Sequence, residues 1–242
     1  MIIYGINPVA EAIRAGRASE VLVQDVRNER LRALVADAKA SGVTVKVIPL
    51  EAFRRIVPTG VHQGVAARVR TAPSASLEDL ARTGDAPPLI VVLDGVEDPH
   101  NLGAILRSVH AAGGSGVVRQ SRHAAPLDGA AAKASAGAVH HVPVAEVVNI
   151  ARALEDLKGL GVWTVGLDAE ADLQYDDVDL TLPTAIVVGA EGSGLRRLVR
   201  ERCDRLASIP MRGQLGSVNV SVAAAILLFE AVRQRNRGRT RA

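Results

Sequence analysis

Three polar stretches of the 242-residue chain carry side chains that can orient a substrate, bind an anion or move a proton, and each also carries glycine. The first runs Asp94-Gly-Val-Glu-Asp-Pro-His-Asn-Leu-Gly-Ala-Ile-Leu-Arg107. Asn101 reads as the N-cap of a helix and Arg107 as lying within its first two turns. Gly103 reads as a first-turn position where a backbone or ligand comes close. The second, Gly189-Ala-Glu-Gly-Ser-Gly-Leu-Arg-Arg, has the spacing G-x-x-G-x-G. That is not the G-x-G-x-x-G of a dinucleotide fold, and no Gly-Lys-Ser/Thr follows, which argues against a nicotinamide-dependent oxidoreductase and a phosphate loop. Glu191 within it would repel a phosphate but orient a hydroxyl or an amine. The third, Ile209-Pro-Met-Arg-Gly-Gln-Leu-Gly-Ser-Val-Asn-Val-Ser221, sets Ser217, Asn219 and Ser221 at alternate positions ahead of an alanine-rich helix. One cap explains one polar residue there, not three. Singly, each stretch also reads as plain structure: a capped helix with an exposed arginine, a tight strand-to-helix turn, a helix start.

The elements that position these stretches are legible as apolar runs. Leu89–Leu93, Gly116–Val118, Val162–Leu167, Ala185–Val188 and Leu206–Ile209 fit strands buried on both faces. Between them Leu102–Ala112, Ala130–Ala136, Ile150–Leu160, Leu195–Cys203 and Val218–Arg235 fit helices, so residues 88–242 read as an open parallel α/β sheet. Ligands in such sheets sit at the carboxyl ends of strands, which is where the three polar stretches fall. Earlier in the chain, strand-like runs (Val21–Val26, Val43–Ile48, Gly64–Val69) alternate with helical ones (Pro8–Ala15, Glu29–Ser41, Glu51–Val57), giving a small α/β domain over residues 1–72. The Pro/Ser/Thr-rich residues 73–87 read as a linker.

With 48% apolar and 23% charged residues the chain is an ordinary globular one. Its net charge of +3 hides an asymmetry: residues 1–72 hold 11 basic and 6 acidic groups, and the last ten hold five arginines and no acid. Two basic ends around an acidic middle read as solvated faces more often than as a nucleic-acid site, and arginine's planar fork suits phosphate better than lysine. Two per cent aromatic content leaves little for base stacking. The single cysteine, Cys203, forms no internal disulfide or cysteine metal cluster. No apolar run reaches a membrane span and the first residues lack a charged start followed by a signal-peptide core, so a cytoplasmic protein without membrane or metal partners is expected.

Together the three stretches resemble the SpoU branch of the knotted SPOUT methyltransferases, in order and spacing, through Asn101–Arg107, Ile186–Leu195 and Ile209–Val222. Ile3-Tyr-Gly-Ile-Asn7 and His62-Gln-Gly64 resemble the small domain, similar to ribosomal protein L30e, of members that methylate the ribose 2′-hydroxyl of a guanosine in large-subunit ribosomal RNA. The resemblance implies a deep trefoil knot, where unaided chirality rules give an unknotted doubly wound sheet. It implies S-adenosylmethionine as cofactor, held by Gly189, Ile209, Val218, Leu167, Gly194 and Met211, with Asn101, Arg107, Glu191, Ser217 and Asn219 as catalytic residues. It further implies a homodimer, with Ala223–Phe229 as an interface element, acting on 23S rRNA. A tRNA 2′-O-methyltransferase and a non-catalytic RNA-binding protein are the alternatives. Val218 and Ala225 stand where leucine and glycine are commoner in the family. Because a guanidinium resists deprotonation, Arg107 is expected to clamp a phosphate and steady the developing alkoxide, with Asn101, Ser217 and Asn219 orienting it and the ribose.

Overall fold

The computed structural model describes residues 1–25, 28–57, 62–70, 74–82, 84, 86–127 and 129–239, the side chains of 238 and 239 excepted. The expected strand end at Val26, parts of the linker and the last arginines of the tail lie outside the described residues. The elements are β1 (Ile2–Tyr4), α1 (Ile6–Arg14), β2 (Ala18–Val23), α2 (Glu29–Ala40), β3 (Thr44–Val47), α3 (Leu50–Ile56) and β4 (Val65–Val69). There follow α4 (Leu77–Ala81), β5 (Leu89–Asp94), α5 (Pro99–Ala111), β6 (Gly116–Gln120), α6 (Gly129–Ala134), a 3₁₀ turn (Ala138–His140) and β7 (Val144–Val147). The chain continues through α7 (Ile150–Gly159), β8 (Trp163–Leu167), β9 (Thr184–Gly189), α8 (Arg197–Arg202), β10 (Arg205–Ala207) and α9 (Val220–Arg239).

Two sheets result. The first has the order β1-β4-β2-β3 and the second, entirely parallel, β10-β8-β9-β5-β6-β7. Strand periodicity divides the second sheet's core in two. Leu89, Val91, Leu93, Ile186 and Val188 face one apolar cluster, whereas Ile90, Val92, Ala185 and Val187 face another. Continuous apolar runs are what strands covered by helices on both faces require. The first cluster continues into Ile3, Val21 and Val65 of the small sheet and Val9 of α1, so the two sheets share one core.

Several expectations are corrected. β1 and β7 are additional strands of three and four residues, too short to show a period. The linker is not a plain spacer: Ser76 and Asp79 form a capping box on α4, and Leu80, 1% exposed, packs against Ile90 and Val92. Asn101 does not cap α5. Asp98 does, accepting from the His100 N–H at 2.9 Å with Pro99 opening the helix, which moves Arg107 to the third turn and Gly103 to the second. The close approach expected at Gly103 is made by backbone: a Cβ there would lie 2.7 Å from the Ala131 carbonyl and 2.9 Å from the Ser135 nitrogen, both in the α6 region. Gly103→Ala should therefore force α5 and α6 apart and cost about 1–3 kcal/mol, read as a lower urea midpoint at unchanged slope.

Where the small sheet's α1 meets the larger unit, Glu11 pairs with His141 at 3.2 Å and packs on Gly137, whose φ is +92°. His140 beside it is 3% exposed, and neither ring nitrogen has a partner among the described residues. Burial, with repulsion from His141 and Arg17 against an opposing pull from Glu11, pushes its pKa down from 6.5 to about 4. The neutral ring is thus favoured in the folded state, and the unfolded chain binds more protons. Stability from this group is complete above pH 6.5 and falls as the pH drops toward 4, by about 3 kcal/mol at most. Urea unfolding at pH 7 and pH 4.5 should show that slope, flattened in His140→Leu.

Candidate active site

At the carboxyl ends of β8, β9 and β10 and the start of α9 the chain leaves a cleft of about 620 Å³, within the range of small-molecule sites. Its wall after β9 is the glycine stretch, folded on itself: Ala190 and Gly194 exchange backbone hydrogen bonds of 3.1 and 2.9 Å. A Cβ on Gly189 would overlap the Gly194 carbonyl and the Leu195 nitrogen, so this loop closes only over glycine. Gly192 and Gly194 take φ of +79° and +66°. The three glycines therefore make a tight turn that presents backbone to the cleft.

The loop's far end is pinned by a buried carboxylate. Asp94, 1% exposed at the end of β5, accepts from the Arg196 backbone N–H at 2.8 Å and from its Nε at 2.7 Å. A second pair braces the opposite wall, Arg200 Nε to Asp168 at 2.6 Å. Asp168, Glu170 and Arg200 all line the cleft, yet residue reasoning stopped at Leu167. The rule that ligands gather beyond strand ends extends to the two acids immediately after it.

The polar centre is Asn219. Its Nδ2 donates to Asn101 Oδ1 at 3.0 Å and to Glu191 Oε1 at 2.6 Å, and its Oδ1 accepts from the Ser221 N–H at 2.9 Å and the Ser221 hydroxyl at 2.6 Å. One amide thus ties together the three stretches singled out in the sequence, and as N-cap it also starts α9. Freed from capping, Asn101 is 7% exposed and turned to this centre. Leu167, Gly189, Gly194, Ile209, Met211 and Val218 line the cleft with Glu191, Ser217 and Asn219. Arg107 does not: it is exposed on α5, outside the cleft, with no hydrogen bond or ion pair among the described residues. Cys203, beneath the cleft, is kept as a thiol, burial pushing it up to about 12. No group of three His, Cys, Asp or Glu side chains among the described residues is placed to hold a metal. No described helix is long and apolar enough to cross a membrane.

Comparison with known proteins agrees with this geometry. Residues 88–229 match the SpoU rRNA Methylase family, and residues 2–75 match the family RNA 2′-O ribose methyltransferase substrate binding. The 23S rRNA (guanosine-2′-O-)-methyltransferase RlmB of Yersinia pestis is 44% identical over 239 residues, covering 97% of each chain. The structure of the SpoU methyltransferase AviRb from Streptomyces viridochromogenes in complex with AdoMet superimposes with a TM-score of 0.82 at 26% identity, covering 98% of this chain and 91% of that one. A TrmH/SpoU tRNA modifying enzyme of A. aeolicus, 31% identical with a TM-score of 0.58, covers only 67% of this chain and 82% of its own.

Replacing Asn219 removes a cap and a clamp together. Asn219→Ala should lower stability by about 1–3 kcal/mol, from the lost cap and the orphaned Asn101 oxygen, and speed amide exchange at the start of α9.

Proposed function

The chain belongs to the SpoU rRNA methylase family, and from that premise we propose that it transfers a methyl group from S-adenosylmethionine to the ribose 2′-hydroxyl of a guanosine in 23S rRNA. The observation that carries the reading is the cleft, lined by the glycine wall and Ser217, at which Glu191 meets Asn101 through the Asn219 amide. The cofactor fits the residues present. The cleft volume is that of a small-molecule site, and Glu170 and Glu191 are carboxylates without ion partners among the described residues, suited to a cationic ligand. Bound there, it supplies a methyl group already activated on a sulfonium.

Gly189, Gly194, Leu167, Ile209, Met211 and Val218 hold the cofactor, largely through backbone, which tolerates Val218. Ser217, exposed at the rim, orients the ribose. Arg107 clamps the neighbouring phosphate and steadies the alkoxide. Its place outside its own cleft, together with Val222 and Phe229 standing about half exposed on one stripe of α9, supports a homodimer in which a second copy completes the site. Residues 1–72 take RNA, 73–87 connect and 88–242 catalyse. The insertion of β9 between β8 and β5, with Arg235 of α9 donating to the Leu180, Leu182 and Pro88 carbonyls at 2.9–3.1 Å, supports a C-terminal trefoil knot. Ribosomal RNA is favoured over tRNA because the rRNA relative matches both units, whereas the tRNA enzyme leaves a third of the chain unmatched. Such a substrate places the protein in the cytoplasm.

Methylation of 23S rRNA from a deletion strain by the purified protein, with the modified ribose mapped, tests the reading; no ribose methylation would refute it. Arg107→Lys keeps charge and helix propensity but loses the two-pronged contact. It should fold, dimerise and bind the cofactor normally while single-turnover methyl transfer falls by roughly 10²–10³. Near-normal turnover would remove Arg107 from the chemistry.

A further inference from the structure

We propose that Asn101 and Glu191 form the seat of the attacking ribose hydroxyl and that the Glu191 carboxylate takes its proton. The proposal rests on the methyl-transfer reading above and adds the group that reading lacks, since neither a guanidinium nor a serine hydroxyl accepts a proton readily at neutral pH.

The orientation of the amide centre follows from one unambiguous donor. The Ser221 backbone N–H can only donate, so the Asn219 oxygen must face it at 2.9 Å, and the Asn219 NH₂ must face Asn101 and Glu191. Asn101 therefore turns its oxygen toward Asn219, which leaves its own NH₂ pointing away. Both N–H groups and both oxygen lone pairs of Asn219 are occupied. Asn219 is thus a positioning residue with nothing left to offer a substrate. What remains free is the Asn101 NH₂ and the second oxygen of Glu191, a donor and an acceptor hung from the same nitrogen. No hydrogen bond to either is present among the described residues.

A hydroxyl needs that pair. The Asn101 N–H donates to its oxygen, its proton points to Glu191 Oε2, and one lone pair is left for the incoming carbon. As the oxygen–carbon bond forms, the carbon–sulfur bond breaks with its electron pair returning to sulfur, and the proton passes to Glu191 Oε2. Charge balances: the sulfonium cation and the carboxylate anion both become neutral. The other carboxylates are worse placed. Asp94 is committed to Arg196, Asp168 to Arg200, and Glu170 follows β8, on the far side of β9 from Asn101.

Glu191→Gln keeps an oxygen for Asn219 but cannot take a proton. Single-turnover transfer to a 23S rRNA fragment at saturating S-adenosylmethionine should fall by roughly 10²–10⁴, the usual worth of a general base, and lose the rise with pH shown by the unmodified protein. Glu191→Asp should restore part of both. S-adenosylmethionine affinity by calorimetry should stay within about threefold. Without any turnover, the Asn219 side-chain amide resonance should shift with pH in the unmodified protein and not in Glu191→Gln. A variant rate within threefold of the unmodified protein, or an unchanged pH profile that hands the proton to a group such as the exposed His100, would overturn the proposal. Failure of the parent reading shows differently: the unmodified protein would bind no S-adenosylmethionine.

Discussion

The side-chain amide of Asn219 constrains everything built around the cleft, because its four hydrogen bonds join residues 118, 28 and two positions away in sequence. Such an amide is satisfied only if the ends of β5 and β9 and the start of α9 arrive together. The parallel sheet provides this by setting β9 beside β5 in register from Leu89↔Thr184 to Asp94↔Gly189. At that last pair the two strands diverge, and the gap between them is closed by Asp94 holding Arg196. The Asp94 carboxylate is buried while the Arg196 side chain is 56% exposed, so the pair stabilises a carboxylate that would otherwise be buried without a counter-charge. The α9 end is fixed by a longer lever. Gln234 accepts from the Leu180 N–H and donates to the Val178 carbonyl, while Arg235 donates to carbonyls just ahead of β5 and of β9, so the helix cannot slide without releasing them.

Legibility in the sequence followed burial. Strands covered on both faces announced themselves as runs such as Leu89–Leu93 and Ala185–Val188, and helices such as Ile150–Gly159 by their stripe. β7, Val-Ala-Glu-Val, is too short and too mixed to separate from a loop. The misplaced cap at Asn101 had a local remedy, because Asp98 followed by Pro99 is the stronger helix start. Moving the start by one turn changes the meaning of the loop, since an asparagine that need not cap is available to the site.

The candidate residues were legible as types but not as partners. Nothing local in Asp94 or Asp168 foretells Arg196 or Arg200, which lie in other loops. Asn219 was expected to orient Arg107; the structure instead spends its whole hydrogen-bonding capacity on Asn101, Glu191 and Ser221. Family resemblance brought these positions into one list. Only the geometry separates those that hold the loops from those that face outward.

That separation bears on how RNA is read. A shared apolar core and the packing of Glu11 on Gly137 join the small sheet to the larger unit. With two phenylalanines, two tyrosines and one tryptophan in the chain, stacking platforms are scarce. Phosphates gripped by the basic small unit would then fix where the strand runs relative to the cleft, and the ribose delivered to Asn101 and Glu191 would be chosen by distance along a folded RNA rather than by its base. A 2′-hydroxyl is the same on every nucleotide. An enzyme that modifies one must draw its selectivity from geometry outside the reacting atoms, and on the proposed reading the packed contact between the two units would supply that geometry.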